Sequence, residues 1–287
     1  CELIHTDEEV TNDDKPTLAL RNRTKSSMRL AIDAVKEHKA DAVISAGNTG
    51  ALMAMATIVL KTLPGISRPA IASSFPTQAG DSVMLDLGAN VECDSNNLVQ
   101  FAVMGEVYAR NELGLSQPSV GILNVGVEGL KGNDSVRDAA AILKNSNLPL
   151  EFYGFIEGDD IGKGTVDVIV TDGFTGNIAL KTAEGTAQMI AYFLKDALKS
   201  SILSKAGALL ARPAIEKVRS HFDPRRYNGA LLLGLNGICV KSHGGTDEVG
   251  FAHAIQVGVN LVRRDLNDLI KEDIASVMIE PSQSIIE

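Results

Sequence analysis

The chain has 287 residues, a formal charge of −9 and three widely separated cysteines. Hydrophobic residues make up 45% and aromatic residues only 4%, with no tryptophan. These values exclude a disulfide-stapled secreted module, a general nucleic-acid binder and an aromatic-rich sandwich, and they suit a large aliphatic core of the α/β kind.

No segment reads as a signal peptide, and no apolar run reaches the length of a membrane span. Cys1, Cys93 and Cys239 lack zinc-like spacing, and an odd count without an export signal points to a reducing cytoplasm. The first residue is Cys rather than Met, so a native segment is expected ahead of it.

Residues 1–16 are polar and acidic and read as loop. The pattern SSMRLAIDAVKE predicts a helix over 26–37, N-capped by Ser26 or Ser27. ADAVISAG reads as a strand, and NTGALMAMATIVLKTL as a helix that begins in its loop. PAIASSFPT and DSVMLDLGAN read as two strands, followed by a helix from about Asn97 to Glu112. SVGILNVG is a strand, VEGLKGND its loop, and SVRDAAAILKNS a helix. LEFYGFIEG and VDVIVTDG are further strands. A long helix runs from Ile178 past Leu198, GICVKSHGG is a late strand and loop, and a last helix spans Asp247 to about Ile270. Strands alternating with helices predict a three-layer, doubly wound, mostly parallel sheet. No linker or low-complexity tract interrupts it, so 1–287 reads as one α/β domain with a helical excursion at 195–226.

Two segments match each other in kind. In ADAVISAGNTG and VDVIVTDGFTG, Ser45 aligns with Thr171, Gly47 with Gly173, Thr49 with Thr175 and Gly50 with Gly176. Five loops in all follow predicted strands and are rich in Gly and small polar residues: SAGNTG, DLGANVECDSNN, NVGVEGLKGND, TDGFTGN and KSHGGTD. Ligands of open α/β sheets bind at strand carboxyl ends. A glycine-rich loop opening a helix presents N–H groups to an anion, most naturally phosphate. Such turns are also an ordinary way to connect α/β elements, but five of them, two nearly alike, favour anion cradles.

Among side chains, Lys131 can hold a phosphate as a point charge or be an ordinary solvated lysine. Asn177 can be a helix cap or donate to a developing oxyanion. His243 is either a ligand-binding imidazole or a loop histidine, and Asp86 and Asp172 organise loop amides. No GxSxG, HExxH or dinucleotide fingerprint is present, so neither a covalent nucleophile, a metal nor a cofactor is expected.

SAGNTGALMA, LDLGANVECD, LVQFAVMG, LNVGVEGLKGND, TDGFTGNIALKT and LLGLNGICVKSHG occur in this order over about residues 20–265. Together they resemble the bacterial phosphate acyltransferase of phospholipid synthesis, the acyl-carrier-protein:phosphate transacylase. The resemblance implies a fold similar to phosphate acetyltransferase and isocitrate/isopropylmalate dehydrogenase, and a homodimer. It implies transfer of a fatty acyl chain from acyl carrier protein to inorganic phosphate, with a membrane glycerol-3-phosphate acyltransferase consuming the acyl phosphate. It also implies a strand and a DAMGGD-type loop that this chain lacks. Lys131 and Asn177 become the catalytic candidates. Gly47, Asn48, Thr49, Gly50, Asn90, Asp172, Gly173, Thr175, Gly176 and His243 are the candidates for holding phosphate or substrate. The alternatives are a coenzyme A-dependent short-chain phosphotransacetylase, a non-catalytic carrier- or lipid-binding protein and, least supported, a dehydrogenase of the related fold.

The excursion carries eight basic residues against three acidic ones, a local formal charge of +5. Pro213 is expected to split it into two helices, leaving ILSKAGALLARP as an apolar tip. Leu209, Leu210, Lys205 and Arg212 are therefore candidates for docking acyl carrier protein or an anionic membrane, placing the protein peripherally on the inner face of the cell membrane. An apolar face packed on a dimer partner also explains much of that pattern.

Overall fold

The computed structural model describes residues 2–146, 148 and 150–278, so Cys1 lies outside it. In chain order the elements are α1 (Pro16–Asn22), α2 (Ser27–Lys36), β1 (Ala42–Ser45), α3 (Thr49–Leu60), β2 (Ala70–Pro76), β3 (Asp81–Leu85) and α4 (Ser95–Leu113). Then come β4 (Ser119–Leu123), α5 (Asp134–Asn145), β5 (Glu151–Ile156), α6 (Gly158–Lys163), β6 (Val168–Val170) and α7 (Gly173–Lys199). The rest are α8 (Ile202–Leu210), α9 (Arg212–His221), a 3₁₀ turn (Pro224–Tyr227), β7 (Ala230–Leu233), β8 (Ile238–Lys241), α10 (Glu248–Arg263) and α11 (Leu266–Met278).

Local signals set most boundaries. Ser26 caps α2 by accepting the Arg29 N–H. Asp94 and Asn97 form a reciprocal capping box at the start of α4, and Gly114 ends it in the left-handed conformation. The helix expected from Ile178 begins at Gly173, and two others end early. The one over 48–63 ends at Leu60, because Lys61 takes φ 63° and the Leu63 N–H turns to the Gly234 carbonyl. The one over 247–270 breaks into α10 and α11 at Asp265, whose φ is 51° and whose carbonyl restarts the ladder.

The eight strands form one sheet in the order β1-β8-β7-β2-β3-β6-β4-β5. It is mixed and mostly parallel, with four of its seven neighbouring pairs parallel. β7 is antiparallel to both β8 and β2, and β2 is antiparallel to β3. Hence β1, β8 and β2 run one way, and β7, β3, β6, β4 and β5 the other.

Period-2 alternation divides the core between two faces. Val83 and Leu85 join Phe101, Met104 and Tyr108 of α4 on one face. Met84, between them, joins Leu52 and Met55 of α3 on the other. The result is the three-layer α/β architecture expected from the strand–helix alternation. Each of these fully buried large side chains contributes roughly 1.5–3 kcal/mol by leaving water.

One ionic group sits within the α4–α11 layer. Glu106 is 3% exposed and pairs with Arg110 at 2.8 Å, while Arg110 also reaches Asp273 of α11. Burial pushes the Glu106 carboxyl above its ordinary range, and Arg110 opposes that rise. A carboxyl whose folded pKa is raised gives most stability below its unfolded pKa and loses it as pH rises through the folded value. Arg110→Met removes the opposing charge. It should cost on the order of 2–3 kcal/mol near neutrality and distinctly less at pH 5, read from urea unfolding at the two pH values.

Candidate active site

Strand polarity sorts the five glycine-rich loops into two groups. Loops after β3, β4 and β6 leave the carboxyl ends of parallel neighbours and share one edge of the sheet. Loops after β1 and β8 share the other edge. Among the described residues no hydrogen bond or ion pair joins the two groups. Asn90, Lys131, Asp172, Gly173, Thr175, Gly176 and Asn177 therefore lie on one edge. Gly47, Asn48, Thr49, Gly50 and His243 lie on the other.

The first edge is built on Asp86, which is fully buried. Its Oδ1 accepts the N–H groups of Ile71 and Ala89, both at 2.9 Å. Its Oδ2 accepts the Asn90 N–H at 2.7 Å and the Asn90 side-chain amide at 2.9 Å. Burial raises the carboxyl's pKa, and these four donors oppose it. The peptide bond Leu85–Asp86 leading into this loop is cis.

Helix α7 docks directly on this loop. The Gly173 N–H donates to the Asn90 carbonyl at 2.7 Å. A Cβ on Gly173 would lie 2.6 Å from that oxygen, and one on Gly176 would lie 2.0 Å from the Asp86 carbonyl. The two glycines are thus required by backbone-to-backbone packing. Asp172 caps the helix, its Oδ1 accepting the Thr175 N–H and its Oδ2 the Thr175 hydroxyl, both at 2.8 Å. Gly176 N–H bonds the Asp172 carbonyl. Three leading N–H groups of α7 are therefore spent internally, as are both amide hydrogens of Asn90, which go to Pro69 and Asp86. At 173–176 the two glycines thus serve helix docking, and three of the N–H donors expected for an anion cradle are engaged within the protein.

The two catalytic candidates on this edge are both open. Asn177 is exposed beside Gly88 in the interior of the first helical turns, so the capping role belongs to Asp172. Lys131 is exposed on a loop whose shape comes from Asn124, which donates to the carbonyls of Gly126 and Lys131. Among the described residues neither side chain has a hydrogen bond or ion pair. Cys93 lies in the same region, but burial, with Asp86 and Asp172 nearby, pushes its thiol up to about 12, so it supplies no thiolate.

The second edge is organised differently. Asn48 caps α3 through Ala51 and donates to the carbonyls of Thr11, Asn12 and Asp14. A Cβ on Gly47 would meet Met28, and one on Gly50 would meet Pro16. The aligned copies also start their helices two residues out of step, since the caps are Asn48 and Asp172. His243 Nδ1 accepts the Gly245 N–H, and its main-chain N–H donates to Asn228. Lys241, half-buried at the end of β8, is a residue that sequence reasoning misses; its one signal is a lysine closing the apolar run GICV. Among the described residues no three His, Cys, Asp or Glu side chains are grouped to hold a metal.

The fatty acid synthesis protein family matches residues 1–269. A curated "Phosphate acyltransferase" of Rhodospirillum rubrum is 58% identical over 282 residues, covering 98% of this chain and 81% of that protein. One of Rhodospirillum centenum is 64% identical over 271 residues, covering 94% and 76%. Among solved structures, a phosphotransacetylase from Streptococcus pyogenes aligns with TM-score 0.56 at 20% identity, covering 82% of this chain and 67% of that one. A phosphotransacetylase from Staphylococcus aureus gives 0.53 at 17%, covering 84% and 66%. At those identities the structures are similar in fold alone.

Close packing gives the glycines of α7 opposite fates. A Cβ at Gly185 would meet nothing within 4 Å, so Gly185→Ala should gain about 1 kcal/mol of helix propensity. Gly176→Ala should lose several times that, because the Asp86 backbone cannot yield about 1 Å or more. Thermal unfolding of the two variants against the parent gives the signs directly.

Proposed function

The chain belongs to the fatty acid synthesis protein family and is a phosphate acyltransferase, and on that premise we propose that it moves a fatty acyl group from acyl carrier protein to inorganic phosphate. A phosphate oxygen attacks the thioester carbonyl, the C–O bond forms and the carbonyl oxygen gains charge. The C–S bond then breaks, releasing acyl phosphate and the carrier's thiolate, which takes a proton from water. Phosphate is already anionic at neutral pH, so positioning matters more than deprotonation. Lys131 supplies charge to phosphate or oxyanion, and the Asn177 amide polarises the carbonyl. What supports these roles is their openness: near Asn90 and Thr175, whose side-chain donors are engaged internally, these two exposed side chains carry no hydrogen bond or ion pair among the described residues.

Acyl phosphate formed by the purified protein from acyl carrier protein thioester and phosphate, with coenzyme A thioester run alongside, tests the reading. Lys131→Ala should lower turnover by roughly a hundredfold with an unchanged melting temperature. Asn177→Asp should be at least as damaging as Asn177→Ala, since it adds like charge beside phosphate and no cap is at stake. Near-normal rates at saturating phosphate in either variant would reject the assigned role.

The excursion supports a peripheral, dimeric arrangement. Neither α8 nor α9 has a buried residue, and Met189, Ile190, Tyr192 and Phe193 of α7 are more than half exposed. A bare apolar surface of this extent marks an interaction site. A second copy would cover α7, and the α8 tip, with Leu209 and Leu210 at 70% and 85% exposure, would meet the cytoplasmic leaflet where a glycerol-3-phosphate acyltransferase takes up the product. No helix among the described residues is long and apolar enough to cross a membrane. Lys205 adds exposed positive charge, and Arg212 is exposed although paired with Glu216. Vesicle co-sedimentation should be strong on anionic lipid, weak on neutral lipid and at high salt, and lost in a Leu209→Glu, Leu210→Glu double variant.

A further inference from the structure

Strands β1 and β8 end side by side, with Ser45 in register with Lys241. Two residues earlier, Val43 and Cys239 are buried against Leu52 and Met55 of α3. By strand alternation Ser45 and Lys241 project from that same face, at its rim. Lys241 is half-buried, and its ammonium donates to the Ser242 carbonyl. Among the described residues no carboxylate pairs with it. Burial alone lowers its pKa.

The surroundings are polar and narrow. Ser45 Oγ accepts the Gly47 N–H at 3.2 Å, which leaves the hydroxyl hydrogen to donate elsewhere. His243 accepts at Nδ1 from Gly245, which in the neutral ring puts the proton on exposed Nε2. Gly244 runs close to Ala46, where a Cβ would stand 3.3 Å from the carbonyl oxygen, so the two loops pass as near neighbours. A cation withdrawn from water without a counter-charge is costly, and an anion entering beside it relieves that cost.

We propose that Lys241 binds a phosphoryl oxyanion, with the Ser45 hydroxyl and His243 Nε2–H as neighbouring donors, on the edge of the sheet away from Lys131 and Asn177. The assignment rests on the acyltransferase reading: the acceptor phosphate must meet the thioester carbonyl beside Lys131 and Asn177, which leaves this edge to the phosphodiester that joins the carrier to its pantetheine arm.

Steady-state kinetics of wild type, Lys241→Met and Lys241→Arg test it, varying phosphate and acyl carrier protein thioester in turn. In Lys241→Met the KM for the carrier thioester should rise at least about tenfold, as expected for loss of a charge-assisted hydrogen bond, and Lys241→Arg should recover most of it. A rise for phosphate alone would place the acceptor at Lys241 and overturn the assignment. A rise for the carrier thioester, absent when an acyl pantetheine without the phosphodiester replaces it, assigns the site to the arm. If Lys241→Met fails to fold, Lys241→Gln, which keeps a donor toward Ser242, carries the same comparison. Both KM values within twofold of wild type at an unchanged melting temperature would overturn the assignment. Wild type forming no acyl phosphate would instead overturn the acyltransferase reading beneath it.

Discussion

Removing a carboxylate from water costs several kcal/mol unless donors replace its hydration, and Asp86 has four. One comes from the start of β2 and three from its own loop. Asn90, fixed by two of them, turns its carbonyl to the first N–H of α7 and its amide to Pro69. Gly176 then rests on the carbonyl of Asp86 itself. A single buried carboxyl thereby sets the positions of β2, the β3 loop and the longest helix. Asn177, the next residue after Gly176, inherits its place beside Gly88 from this arrangement. Asp86 contributes geometry, through the four donors that its carboxyl holds.

The repeated strand–loop–helix unit acquires two meanings because of one strand. β7 lies between β8 and β2 antiparallel to both, and β2 opposes β3, so the parallel block β1–β8 and the parallel block β3–β6–β4–β5 point in opposite directions. Each block exposes its own carboxyl ends. In one block the small residues let a helix press onto a neighbouring loop. In the other, Gly50 packs on Pro16 and Asn48 gathers three carbonyls of the chain ahead of α1. Similar sequences therefore solve different packing problems.

That division separates what is legible in the sequence from what is not. The layers, most strands and the Ser26 cap follow from alternation and capping residues, because those signals act over a few residues. β7 (Ala230–Leu233) does not, since four apolar residues fit strand or helix equally well. Without β7 the reversal of polarity is hidden, and with it the separation of His243 from Asn177. The roles of Gly173 and Gly176 are hidden for a related reason. A glycine demanded by a close neighbour looks the same in sequence as one demanded by a ligand, and the neighbour, Asp86, lies some ninety residues earlier. Asn177 and Lys131 are reached through the family resemblance, which carries information that spacing alone does not.

The openness of Lys131 and Asn177 has a consequence for how such a site would work. A reacting centre that must admit a whole carrier protein stays shallow, and shallow donors are screened by water. Rate enhancement at such a centre draws on binding energy from parts of the substrates that do not react. Phosphoryl groups are suited to supply it, being charged, and Lys241 is better placed than Lys131 to collect it, because its ammonium is half withdrawn from solvent. On this reading the two blocks of the sheet divide the work: one edge presents exposed donors to the thioester, and the other holds an anion against a partly desolvated cation. A long, flexible thioester arm is a substrate that can span two such edges.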